Sequence, residues 1–210
     1  MNTLHPRALL RPIASASLAA LLAATALSGC APLLIGGAMV GGTMMAVDRR
    51  TAGAQVEDQT IEIKAGIEAG KAAPSAHLNT TSYNRMLLIT GEAASEADRK
   101  AIEQAAGRIE NLRSVVNEVA VMGNTSISAR SNDTIITGKV KAAFIDAKDL
   151  QAQSLKVVTE RGIVYLMGVV TEREANRASD VTRAVGGVQK VVRVFEVISE
   201  AELAALQPKK

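Results

Sequence analysis

Leu166-Met167-Gly168-Val169-Val170-Thr171-Glu172-Arg173-Glu174-Ala175 is a strand that hands over to a helix within ten residues. Its apolar half follows the run from Ile163, and Thr171 with Glu174 three residues on forms a capping box, which opens a helix by satisfying its first backbone N–H groups. That helix carries Ala178, Val181 and Val185 on one face and stops at Gly186-Gly187. Working outward, Ser154–Glu160 and Ile163–Val169 are β-branched runs about the turn Glu160-Arg161-Gly162, the pattern of a hairpin. Val191–Ile198 alternates as a further strand, and Asp133 can cap a helix that runs to about Ile145. The predicted order is helix, strand, strand, helix, strand.

The same unit occurs twice. Ile109, Leu112, Val115, Val116 and Val121 recur as Val185, Val188, Val191, Val192 and Val197, a constant offset of 76 (109 to 185). Upstream, Asp58, Ile61, Lys64 and Ala65 recur as Asp133, Ile136, Lys139 and Val140 at an offset of 75 (58 to 133). The first copy's elements fall at roughly 58–71, 77–83, 86–91, 95–107 and 114–122. A polar, small-residue stretch, Gly-Asn-Thr-Ser-Ile-Ser-Ala-Arg-Ser at 123–131, suits a connector.

An apolar-x-Gly strand, a capped helix and then Gly-Val-x-x-Val resembles the BON domain of bacterial envelope proteins. The second copy is close, with Gly168 and Gly187-Val188-Gln189-Lys190-Val191-Val192. The first departs at Glu110-Asn111-Leu112 and at Asn84-Arg85, where the second copy's hairpin has Arg161-Gly162. The resemblance implies an α+β protein with two tandem αββαβ domains, each a small three-stranded sheet packed on two helices. The expected layout is a signal peptide over 1–29, a lipidated Cys and Gly-rich membrane-proximal segment over 30–56, domains at 57–123 and 132–199 joined by a linker at 124–131, and a polar tail at 200–210.

Cys30 is the one cysteine, so it has no partner for an intrachain disulfide. It follows a positive region with Arg7 and Arg11, an uncharged apolar run from Ile13 to Leu27, and the small residues Ser28-Gly29. This is the layout of a bacterial lipoprotein signal, in which the thiol receives a diacylglycerol and the chain is cut before it. The run is short of the roughly 20 residues that span a bilayer. Ala31 stands where Asp would, in the lipoproteins this chain resembles, retain it at the inner membrane; the expected address is the outer membrane, facing the periplasm, through the lipid anchor. Residues 32–47 are apolar and glycine-rich, a membrane-proximal segment or a small-residue packing motif, and 48–53 form a polar linker.

Without residues 1–29 the basic count falls from 24 to 22 against 21 acidic residues, so the basic pI gives no support to a nucleic-acid reading. Trp is absent and the aromatics are Tyr83, Tyr165, Phe144 and Phe195, too few for base stacking. His77 is the single histidine left after Cys30, in a polar strand, and no second His or Cys completes a metal site. No catalytic residue, metal ligand or cofactor is expected.

The expected function is binding. On a helical wheel Ile136, Val140, Ala143 and Phe144 make the core stripe of the helix from Asp133, while Ile135 falls well off it beside Lys139 and Ala142. An exposed isoleucine next to a lysine suits an anionic bilayer; it equally suits packing against the linker or the first domain. The resemblance implies anionic, phosphatidylglycerol-like phospholipid bound by this helix, support of envelope integrity and a place at the division site. Ile135, Lys139, Ala142 and, more weakly, Arg130 are the candidate lipid contacts. In the first copy's helix, Ile63 and Ile67 form a second apolar face, expected to dock on the other domain. The alternative function is a scaffold for an envelope-assembly or cell-wall-remodelling partner.

Overall fold

A computed structural model describes residues 48–206. Cys30, the signal segment and most of the Gly-rich segment lie outside the described residues. The order is α1 (Ala52–Ala72), β1 (His77–Tyr83), β2 (Met86–Ala93), α2 (Glu96–Ala106) and β3 (Ser114–Val121), then α3 (Ile127–Asp146), β4 (Lys156–Glu160), β5 (Ile163–Thr171), α4 (Glu172–Arg183) and β6 (Lys190–Ile198). A short α5 (Glu200–Leu206) closes the described chain. This is αββαβ twice. In each sheet the central strand pairs antiparallel with the hairpin partner and parallel with the last strand, in the orders β1-β2-β3 and β4-β5-β6.

Each sheet has one face on its own helices. Leu87 and Ile89 of β2 meet Ile61, Ala65 and Ala69 of α1 and Ile102 of α2. Val164 and Leu166 of β5 meet Ile136, Val140 and Phe144 of α3 and Ala178 of α4. The alternate residues form a third core. Tyr83 and Leu88 from the first sheet pack with Tyr165, Met167, Val169 and Val194 from the second, so the two sheets lie face to face with the helices outside. A strand buried on both sides reads as an unbroken apolar run, and β5 does.

Both long helices start earlier than expected. Thr51 caps α1 by accepting from the N–H of Ala54, and Ser126 caps α3 by accepting from that of Ala129. The expected linker at 124–131 therefore shrinks, and residues 127–131 are helix. Asp58 and Asp133, expected as the N-caps, are buried within these helices and cap something else. Asp133 accepts the N–H groups of Arg161 and Gly162 at 2.8 Å each. Asp58 accepts those of Asn84 and Arg85 at 2.8 and 2.7 Å. Each aspartate holds a hairpin turn against its domain's first helix.

That pairing explains the first copy's departure. Asn84 and Arg85 sit at φ 48° and 66°, matching Arg161 and Gly162 at 52° and 72°. The first copy makes the same left-handed turn without glycine, its cost offset by the buried carboxylate of Asp58. The glycine of the apolar-x-Gly motif is needed for space: a Cβ on Gly168 would lie 2.6 Å from the carbonyl oxygen of Ser154.

Candidate functional site: the outward face of α3 and the seam behind it

α3 is anchored by one stripe, Ile136, Val140 and Phe144, all fully buried. The opposite side carries apolar residues in water. Ile127 is 82% exposed, Ile135 56% and Ile145 71%. At 100° per residue Ile127 and Ile145 point the same way, and Ile135 lies about 80° round. At 1.5 Å per residue, Ile127 and Ile145 are about 27 Å apart along the axis. Gly138 and Ala142 between them are exposed and small, which leaves the face low and open. Lys139 and Lys141 are exposed on its two margins, and neither makes an ion pair among the described residues.

Ile135, Lys139 and Ala142 thus share one surface, as the wheel predicts. Arg130 does not: it lies about 140° round the helix from Ile135 and shares a cleft lining with His77 and Asn79 of β1. Ile127 and Ile145 are additions. Ile127 falls in the stretch whose composition suits a linker and Ile145 at the expected helix end; their spacing of 18 residues, five turns, is the sequence signal that pairs them.

Ile63 and Ile67 correct the expected interdomain packing. They are 60% and 51% exposed and, with Val56 at 67%, form an outward stripe on α1. The domains dock through the sheet faces turned away from their own helices, around Tyr83, Leu88, Tyr165 and Met167.

Polar contacts frame the seam. Arg161 of the second hairpin donates to Glu92 Oε1 at 3.1 Å and to the carbonyl of Gly91 at 2.9 Å. Glu92 also accepts from the hydroxyl and N–H of Thr125, and these donors hold it below the usual carboxylate range although burial opposes this. His77 is half-buried, with Nδ1 3.3 Å from Glu92 Oε2. Lys156 meets Glu62 at 2.7 Å, Arg113 meets Glu196 at 2.6 Å, and the Tyr83 hydroxyl donates to the carbonyl of Ser154 at 3.2 Å. Burial pushes the Tyr83 phenol up to about 12.

The segment before α1, expected as a polar linker, is bound to both domains. Arg49 donates to both oxygens of Glu174 at 2.7 Å and to the carbonyl of Val169 at 2.7 Å, in the second domain. Arg50 donates to Asp58 at 2.8 Å and lies 4.0 Å over the Tyr83 ring, in the first. Glu174 is also the return arm of the Thr171 capping box. Neighbouring arginines therefore grip different domains.

Two αββαβ units joined sheet to sheet, with their helices outside, define a tandem α+β domain pair. Residues 55–123 and 132–199 each match the BON domain. The chain belongs to the BON family, among its two-domain lipoproteins. It is 35% identical over 186 residues to outer membrane lipoprotein DolP of Haemophilus influenzae, covering 86% of this chain and 95% of that one. It is 30% identical over 155 residues to a 21 kDa hemolysin of Actinobacillus pleuropneumoniae, covering 72% and 80%. The osmotically inducible protein Y of Escherichia coli is 24% identical over 135 residues, covering 63% and 67%.

Proposed function

We propose that this protein is an outer-membrane lipoprotein, anchored through Cys30 and facing the periplasm, that docks anionic phospholipid on the outward face of α3. By holding to lipid twice it supports envelope integrity, at the division site in particular. The observation that carries this reading is the row Ile127, Ile135 and Ile145, exposed along about 27 Å of one helix between two lysines. A helix lying in a bilayer surface buries such a face about 5–10 Å into the headgroup and acyl boundary. Each isoleucine taken out of water contributes about 1.5–3 kcal/mol at full burial, and each lysine near an anionic surface about 1 kcal/mol. The similarity to an outer membrane lipoprotein supports the address, and no described helix is long and apolar enough to cross a membrane.

Flotation of the Cys30→Ser chain, which cannot be acylated and so reports on α3 apart from the anchor, tests it with vesicles. Binding is expected to phosphatidylglycerol-containing vesicles, to fall steeply for Ile135→Glu and for Ile127→Glu with Ile145→Glu, and to weaken for Lys139→Ala with Lys141→Ala. Equal flotation of the wild type and the isoleucine variants would remove the lipid reading.

The stripe Val56, Ile63 and Ile67 on α1 favours a second role as a scaffold for an envelope-assembly or cell-wall partner. Ile63→Glu with Ile67→Glu would then release a co-purifying envelope protein while leaving flotation unchanged.

A further inference from the structure

A polar cleft opens where the two domains meet beside α3. β1 is an edge strand of the first sheet and β4 an edge strand of the second. His77 and Asn79 of β1, Arg130 and Thr137 of α3, and Thr159 and Glu160 of β4 line a cavity of about 220 Å³. It is smaller than the 300–1,000 Å³ or so of drug-sized sites, and large enough for a compact polar molecule. Apart from the His77 imidazole its lining side chains are polar or charged, so an acyl chain finds no apolar wall.

Its charged side chains are one cation, Arg130, and two carboxylates, Glu160 and Asp133. Arg130 brings a guanidinium whose Nε is buried without an acceptor, and buried N–H groups are ordinarily satisfied. Glu160, nearly all buried, brings a carboxylate from β4 of the same domain and accepts from Asn79 Nδ2 of the first domain at 2.9 Å. Asp133 also borders the cleft, but both its oxygens are taken up by the turn N–H groups at 2.8 Å. Thr137 donates to Thr159 at 2.7 Å, which leaves the Thr159 hydroxyl proton free to turn inward. A lone anion would meet Glu160, and a lone cation would meet Arg130. A molecule carrying both charges satisfies both.

We propose that this cleft binds a small zwitterion in which an ammonium and a carboxylate or phosphate stand a few bonds apart. The anion sits on Arg130 and the Thr159 hydroxyl, and the ammonium on Glu160. Two sources share that chemistry: a free α-amino acid, and the phosphoethanolamine headgroup of a lipid. The ligand's contacts are in the second domain, and Asn79 and His77 of the first domain close the cleft around it. The site is separate from the lipid-docking face, because Arg130 lies about 140° round α3 from Ile135.

Calorimetric titration of the full chain in non-ionic detergent tests this. The probes are L-alanine, D-alanine and glycerophosphoethanolamine, with acetate, ethylammonium and glycerophosphoglycerol as single-charge controls. A zwitterion is expected to bind at least tenfold tighter than any control, and the preferred one identifies the source. Arg130→Ala, which removes no described side-chain bond, and Thr159→Val are expected to weaken binding at least tenfold and about threefold, with thermal melts unchanged for Arg130→Ala. Ile135→Glu is expected to leave it unchanged. Failure of all three zwitterions to bind, equal binding of a single-charge control, or unaltered binding in Arg130→Ala overturns the proposal.

Discussion

Arg161 of the second domain donates to Glu92 of the first across 3.1 Å, and the Glu92 side chain is wholly out of solvent. The pair ties the second hairpin turn to the end of β2. A buried charge stripped of its partner costs about 3–5 kcal/mol, whereas removing both partners costs far less than the sum. Arg161→Ala and Glu92→Ala are each expected to destabilise the chain by about 3 kcal/mol in urea melts. The double variant should lose clearly less than the two losses added, giving a coupling of about 1 kcal/mol or more. Strict additivity would mean that the contact carries no interdomain energy.

Acid is expected to loosen the molecule. Asp58, Glu92 and Glu174 are all held below the ordinary carboxylate range: burial alone would raise each, but Ser82, the turn N–H groups and Arg50 act on Asp58, Thr125 and Arg161 on Glu92, and Arg49 on Glu174. A group whose folded pKa is depressed stabilises the fold above its unfolded value and loses that stability as pH falls toward the folded value. With unfolded carboxylates near about 4, urea midpoints should be level from pH 7 to 5 and decline below about pH 4. The decline should be shallower in Glu174→Gln.

The two hairpin turns make a paired prediction. Arg85 holds φ 66° where the second copy has Gly162 at 72°. A left-handed non-glycine residue costs roughly 1–2 kcal/mol, and glycine gives back about 0.5–1 kcal/mol through the unfolded chain. Arg85→Gly should therefore raise stability by about 0.5–1 kcal/mol, measured by denaturant melts. Asp133→Ala leaves two turn N–H groups without their acceptor and should cost about 2 kcal/mol or more.

Those aspartates show where the sequence was legible and where it was not. The repeat, the capping box at Thr171 and the hairpins follow from local pattern, since caps and alternation act over a few residues. Asp133 carries the ordinary mark of a helix start, yet its carboxylate is claimed by a turn 28 residues away, so α3 begins at Ile127 and exposes an isoleucine that looked like linker. Ile63 and Ile67 are likewise ambiguous, because a second apolar stripe does not say what covers it. The better clue was β5, apolar on both faces over Ile163–Val170. One face of that strand needed a layer beyond its own helices, and the other sheet supplies it.

Arg49 gives the last prediction. Its guanidinium makes two parallel bonds to Glu174 and a third to the Val169 carbonyl, while Arg50 next to it is bound in the first domain. Arg49→Ala leaves a nearly buried carboxylate with the Thr171 N–H as its remaining described donor, and should cost about 3 kcal/mol. Arg49→Lys should recover less than half of that, since an ammonium cannot reproduce the bidentate fork. The loss should also be local before it is global. Hydrogen exchange is expected to rise first over residues 48–56 and at the start of α4, with β2 and β5 still protected, because the shared sheet core does not depend on the clamp. Full recovery of stability by Arg49→Lys would show that charge alone, rather than the fork, holds residues 48–50 at the seam.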